Sequence, residues 1–296
     1  NRVSFGLQSA DNEELKNLGR IHSFEEFLKS FQSARMAGFT NISIDLMSGI
    51  PGQTLESWKN TLKKVTMLKP EHISAYSLII EKGTPFYEKY KFDLVRQEAG
   101  MQTELLPTEE DTYKMLKLTQ VVLAKAGYGR YEISNYAKPG YECRHNIGYW
   151  TRENYLGLGL GAASLVDNVR YSNTRELDEY TAICHDLTIL PPEAFAPEDG
   201  MAAPERNWFG SNLHTEASVV SRKSQMEEFM FLGLRMTDGI ARDEFEHNFG
   251  MPIEAAYVQV LPELQAQGLI EKREGRIYLT DRGMDVANYV MAQFLL

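Results

Sequence analysis

Three short apolar strands separated by capped helices are the feature that most constrains this chain. Val3-Ser4-Phe5-Gly6-Leu7 reads as a strand; Ile42, Ile44 and Leu46 alternate with Ser43, Asp45 and Met47; a third strand is predicted over His72 to Ile80. Between the first two, Asp11-Asn12-Glu13-Glu14 opens a short helix with acids in its first turn. Ser23 and Glu26 then have capping-box spacing, and Phe24, Phe27, Leu28 and Phe31 mark one apolar face that ends near Gly38. Between the second and third strands, Gly49-Ile50-Pro51-Gly52 is turn chemistry. Thr54 caps a helix with Leu55, Trp58, Leu62 and Val65 on one face, and Pro70 stops it. Strands alternating with helices across short connections imply parallel pairing through right-handed crossovers, hence an α/β barrel or a doubly wound sheet. Periodicity alone does not choose between them.

Past Lys82-Gly83-Thr84-Pro85 the chain reads as irregular, then as a helix from about Thr108 to Ala126 and a strand from Tyr128 to Tyr136. Residues 179–224 hold Pro191, Pro192, Pro197 and Pro204 with weak periodicity and read as an insertion or linker. The last segment, 225–296, predicts helices over Gln225 to Leu234, Ala241 to Asn248 and Pro252 to Gln267. A hairpin follows, Leu269 to Lys272 and Arg276 to Leu279 around Gly275, and a helix closes the chain after Thr280. This order is winged-helix-like.

A winged helix invites a DNA-binding reading, and charge opposes it. Residues 225–296 carry 6 basic and 12 acidic side chains, and the whole chain has a net charge of −10, the wrong sign for neutralising phosphates. Nucleic acid is therefore excluded as an expected partner. No apolar run approaches the roughly 20 residues of a transmembrane helix, which leaves peripheral membrane association and oligomeric state open. Two cysteines, Cys143 and Cys184, fit a reducing compartment, so a cytoplasmic protein is expected. A strand at the very first residues predicts that the chain opens inside a domain.

Residues at the C-terminal ends of parallel strands converge on one rim, where chemistry concentrates. Gln8 closes the first strand, Asp45 lies late in the second, and Arg20 ends the short helix between them. Taken alone they read better as a structural ion pair, Arg20 with Asp45, beside a glutamine that satisfies backbone, than as a binding site. Tyr141-Glu142-Cys143-Arg144-His145-Asn146-Ile147-Gly148-Tyr149-Trp150 puts a thiol, an imidazole and two aromatics in one short loop; imidazole suits a metal or haem iron, but a lone histidine beside aromatics is more often an ordinary hydrogen-bonded residue. Gly157-Leu158-Gly159-Leu160-Gly161-Ala162 meets a loose dinucleotide fingerprint but lacks the strand-helix-strand context, so tight backbone packing explains it better. Gly49 to Thr54 lacks the P-loop lysine, and the two cysteines lack metal-site spacing.

In series, Asn1 to Ser9, Leu18-Gly19-Arg20-Ile21-His22, Asn41 to Thr54, His72 to Leu78 and His145-Asn146-Ile147-Gly148-Tyr149-Trp150 resemble the radical S-adenosylmethionine haem chaperones, relatives of oxygen-independent coproporphyrinogen III oxidase. The resemblance omits roughly 179–224. It implies the later part of a partial TIM-like barrel over 1–178 that includes the haem-motif region, the linker 179–224, and a winged-helix-like domain over 225–296. Gln8, Arg20 and Asp45 match the family's S-adenosylmethionine-binding positions. His145, Tyr149 and Trp150 match its HNxxYW haem motif, with His145 as the haem contact. The resemblance further implies a 4Fe-4S cluster on a CxxxCxxC loop, a haem-accepting partner protein and haem delivery. No such cysteine triplet occurs here, so the chain is expected to lack the barrel's front strands and not to assemble the cluster. A true coproporphyrinogen III oxidase and a cluster-free binding module are the competing readings.

Overall fold

The computed structural model describes residues 1–186, 188–190 and 210–296. The chain opens with β1 (Val3–Gln8), α1 (Asn12–Asn17), α2 (Phe24–Met36), β2 (Ile42–Ser48), α3 (Leu55–Met67) and β3 (His72–Ser77). The three strands are parallel, with Gly6 opposite Asp45 and Asp45 opposite Ser74. Local chemistry sets the helix starts. Asp11 accepts from the amides of Glu13 and Glu14, Ser23 and Glu26 form the expected capping box, and Thr54 forms another with Ser57.

Beyond β3 the structure departs from expectation. The stretch after Pro85 is a helix, α4 (Pro85–Glu98), with Thr84 capping it and proline in its first turn, and α5 (Glu109–Lys125) follows as expected. The strand expected over Tyr128 to Tyr136 is two short strands, β4 (Gly129–Arg130) and β5 (Asn135–Ala137). They pair antiparallel, and β5 is antiparallel to β3, giving the order β1-β2-β3-β5-β4. Polar side chains fold the chain back there: Arg130 donates to the carbonyl of Ile133 (2.6 Å), while Glu132 accepts from the amide of Ser134 and from Asn135 Nδ2 (both 2.7 Å).

The two faces of this sheet differ in chemistry. Leu7, Ile42, Ile44, Leu46 and Ile73 pack against Phe27, Phe31, Trp58, Leu62, Val65, Met115 and Leu123 of the helices in one core. Trp58 Nε1 is satisfied inside it by Thr119 Oγ1 at 2.9 Å. The opposite face carries Ser4, Gly6, Ser43, Asp45, His72, Ser74 and Tyr76, the alternate residues of the same strands.

The chain divides between Glu142 and Cys143 into two compact units, earlier than the expected boundary at 178, so that the HNxxYW-like segment lies in the second unit. That unit holds α6 (Arg144–Trp150), β6 (Ala163–Val166), β7 (Val169–Asn173), α7 (Leu177–His185), β8 (Ile189–Leu190), β9 (Gly210–Ser211) and β10 (His214–Val219). β10, β7 and β6 form an antiparallel sheet. The expected linker 179–224 thus contains most of α7 and all of β10, while its proline-rich part, 191–209, lies outside the described residues.

The winged-helix-like part comprises α8 (Arg222–Gly233), β11 (Ile240–Ala241), α9 (Arg242–Phe249), α10 (Ile253–Ala256), α11 (Val260–Ala266), β12 (Ile270–Arg273), β13 (Arg276–Leu279), α12 (Asp281–Asp285) and α13 (Ala287–Ala292). The single helix expected over Pro252 to Gln267 is two, because Pro262 has no N–H to donate and is tolerated only in a first turn. Phe245, Ile253, Leu261, Leu264, Ile277, Val290 and Phe294 are buried in this part.

Candidate functional site

Gln8 and Asp45 stand side by side on the polar face. A register shift after Gly6 leaves Gln8 at φ 69°, and its Nε2 lies 3.0 Å from where a Cβ on residue 6 would be. Glycine at position 6 is what lets the amide fold over the strand beside Asp45. The Asp45 carboxylate accepts from Ser4 Oγ at 3.1–3.2 Å. Sequence reasoning misses Ser4 as a site residue, although the strand period, which puts residues 4 and 6 on one face, is the available signal. Tyr76 faces the same region: burial pushes its hydroxyl pKa up, and the negative charges of Asp45 and Glu132 add to that. Asn135 Oδ1, in β5, is buried with no hydrogen-bond partner among the described residues.

Arg20 is exposed in the turn after α1 and does not pair with Asp45. Its amide donates to the carbonyl of Leu15 (2.9 Å), and His22 Nε2 lies 3.4 Å from the Leu7 carbonyl, tying this turn to the end of β1. The structure therefore brings Gln8 and Asp45 together and leaves the guanidinium of Arg20 in solvent near the same strand end.

A buried carboxylate organises that strand end. Glu14 accepts from Ser9 Oγ (2.5 Å), Ser57 Oγ (2.5 Å) and Gln53 Nε2 (2.9 Å), while Gln53 Oε1 accepts from the amide of Gly49 (2.7 Å). The turn that follows the Asp45 strand is thereby fastened to the residue after Gln8. Sequence reasoning does not single out Glu14 and Gln53, because nothing in their spacing relates a helix residue to a turn so far along the chain.

In the second unit, the segment expected as a short loop is helix α6. His145 and Tyr149, one turn apart, meet edge to face at 4.8 Å, and Tyr149 meets Tyr155 in the same way at 4.7 Å. The His145 imidazole is exposed. Trp150 has other neighbours. The Arg235 guanidinium lies 4.2 Å over its ring, and the indole lines an apolar groove of about 310 Å³ with Phe231, Leu232 and Met291. Its buried Nε1 has no hydrogen-bond partner among the described residues.

Just past α6, Arg152 (φ 59°) donates to the Glu228 carboxylate at 2.7 Å, and Arg170 meets the same group at 2.9 Å. Burial raises the Glu228 pKa, but the hydrogen bonds and charges of Arg170 and Arg152 outweigh it and hold the group below its ordinary value. This triad joins the motif region to α8 inside the unit.

Residues 1–65 match the model of the radical SAM superfamily, and residues 220–286 that of the HemN C-terminal domain. The heme chaperone HemW of Lactococcus lactis is 36% identical over 296 residues, covering all of this chain and 69% of its own length. That of Escherichia coli is 38% identical over 295 residues, 68% of its length. This chain belongs to the heme chaperone HemW family. Across all of its length it also superposes on 64% of the Escherichia coli coproporphyrinogen III oxidase, a radical SAM enzyme, with a TM-score of 0.71 at 20% identity, a likeness of fold.

A HemW-family chain is implied to work with S-adenosylmethionine and a 4Fe-4S cluster, and its residues answer differently to the two. Cluster iron takes thiolates. Here Cys143 and Cys184 form no disulfide, and no three His, Cys, Asp or Glu side chains gather as a metal site among the described residues, so these residues do not fit the cluster. The polar face does fit S-adenosylmethionine, offering a carboxylate, an amide and Asn135 Oδ1, which has no partner among the described residues, to a ligand rich in hydroxyl and ammonium donors.

Proposed function

We propose that this chain binds haem through His145 and S-adenosylmethionine through Gln8, Arg20 and Asp45, and that the whole protein passes the haem to an accepting protein in the cytoplasm. The observation that carries the reading is an exposed imidazole, oriented by the edge of Tyr149, in a chain whose relatives are named heme chaperones. A neutral imidazole nitrogen is a common protein ligand of haem iron. A contact that must release its cargo is better placed on a surface helix than in a closed cavity. The contact with Tyr149 covers one side of the ring, while His145 as a whole stays exposed. Trp150, beneath Arg235, fixes the far end of the helix and is a neighbour of the haem site rather than a ligand.

For S-adenosylmethionine, the Arg20 guanidinium is suited to the methionyl carboxylate, and Asp45 with Gln8 to the ribose hydroxyls or the ammonium. The alternative, a coproporphyrinogen oxidase, rests on likeness of fold and on the HemN C-terminal domain match, whereas the Lactococcus lactis and Escherichia coli relatives at 36 and 38% identity are named heme chaperones. Titration of the protein with haemin, followed by the Soret band, tests the haem contact. His145→Ala is expected to weaken binding about tenfold or more, the loss of one coordinate bond partly replaced by water. Unchanged binding removes His145 as the contact.

A further inference from the structure

The segment that mimics a dinucleotide fingerprint has an unexpected arrangement. Leu156, Leu158 and Leu160 are 63, 83 and 45% exposed, each followed by a glycine. Leucines this exposed on an unpinned loop would carry little meaning, but this backbone is fastened from below. The amide of Gly157 donates to Ser164 Oγ (2.9 Å), and the Asn173 side-chain amide donates to the carbonyls of Gly159 (2.8 Å) and Gly157 (3.3 Å). Ser164 and Asn173 are themselves buried. A Cβ on residue 157 would meet the Ala163 carbonyl oxygen at 2.2 Å, so close approach of the segment to β6 requires glycine there. Buried polar groups thus fasten the backbone that carries three exposed leucines.

The segment begins next to the rings that lead from the proposed haem contact. His145 touches Tyr149, Tyr149 touches Tyr155, and Leu156 follows directly. At the other end the stem of Arg175 lies against Gly161, with its guanidinium 4.0 Å from Glu216, both groups well exposed and so only weakly paired. Above Gly159 there is open space. An imidazole, three exposed leucines and a cation along one segment match an apolar macrocycle that carries a metal and peripheral carboxylates.

The geometry points to the Leu156–Leu160 segment as the apolar rest for the porphyrin ring, with Arg175 at its carboxylate edge. This deepens the haem reading above and rests on it. The macrocycle lies on the leucines, its iron is taken by His145, and the open space above Gly159 leaves room for the ring there.

The test uses two probes, haemin and metal-free protoporphyrin IX, with three proteins: the unaltered chain, His145→Ala, and a variant combining Leu156→Ser, Leu158→Ser and Leu160→Ser. The leucines are exposed, so circular dichroism is expected to be unchanged; Leu158→Ser alone, at the most exposed of them, is the second variant. The triple variant is expected to bind both porphyrins about 30-fold more weakly, and Leu158→Ser about tenfold, as partial burial of leucine side chains is lost. His145→Ala should weaken haemin but spare protoporphyrin IX, which has no iron to ligate. Protoporphyrin IX binding unchanged in the triple variant overturns the proposal. Loss of both porphyrins in the triple variant with haemin unaffected by His145→Ala supports the leucine rest and removes His145. The same proteins are also sedimented with phosphatidylcholine vesicles. Vesicle binding that the triple variant loses while its porphyrin binding stays intact assigns the leucines to a lipid surface and overturns the proposal as well.

Discussion

His72, on the polar face of the sheet, is 1% exposed, and both of its ring nitrogens are engaged: Nδ1 shares a hydrogen bond with Ser43 Oγ and Nε2 with Tyr131 Oη, each at 2.8 Å. Burial, helped by the positive charge of Arg2, pushes its pKa down to about 3. A folded value below the unfolded one means that the neutral ring stabilises the fold fully above about pH 6.5 and that this contribution is lost as pH falls from there toward about 3. The loss runs at about 1.4 kcal/mol per pH unit. Carboxylates such as Glu228 also titrate on acidification, so the informative quantity is the difference between the protein and His72→Gln, in which they cancel. By urea denaturation that difference is expected to shrink by about 1.4 kcal/mol between about pH 7.5 and 5.5. A gap that stays constant would mean that His72 is not held neutral.

At the scale of elements, β1 determines whether the proposed nucleotide site forms. Its bulge after Gly6 and the φ of 69° at Gln8 aim one amide across a residue that has no side chain. In Gly6→Ala the new Cβ would lie 3.0 Å from Gln8 Nε2, and the flexible amide yields before the backbone does. Calorimetric titration with S-adenosylmethionine should therefore show about tenfold weaker binding, the worth of one hydrogen bond to a charged or polar ligand, with little change in thermal midpoint. Equal affinity would remove Gln8 from the site. The parallel strands and α2, α3 and α5 were legible because caps and apolar periodicity agree within each. Helix α4 was not, since only Tyr90 and Asp93 of it are buried and its apolar residues follow no single face; Thr84 before Pro85 was the usable sign. The split into β4 and β5 depends on side-chain bonds of Arg130 and Glu132 that periodicity does not encode. Gln8 and Asp45 could be found from strand ends and Ser4 from the strand period, whereas Asn135 became a site residue only once the register put β5 against β3, opposite Ser74, which itself lies opposite Asp45.

For the molecule as a whole, the C-terminal part raises the question of what a winged helix does when its charge is reversed. The architecture places a hairpin, β12–β13, where a DNA-binding protein would carry basic side chains toward phosphates. Lys272 here meets Glu254 at 3.1 Å, with Arg242 on the same carboxylate at 2.6 Å. Arg273 lies 3.7 Å from Glu271 and 4.6 Å over the Tyr278 ring, and Arg276 donates to the carbonyls of Asp238 and Gly239. The hairpin's cations are thus engaged inside the unit, within a segment that has 6 basic against 12 acidic residues. Nonspecific DNA affinity arises from counterion release by several free cations at once, and it rises steeply as salt is lowered. Fluorescence anisotropy of a labelled duplex is therefore expected to stay flat up to about 10 μM protein even at about 50 mM salt, where a phosphate-binding protein of ordinary affinity would saturate. Binding that strengthened as salt was reduced would require a basic surface that these ion pairs do not leave, and would return the winged helix to its nucleic-acid reading.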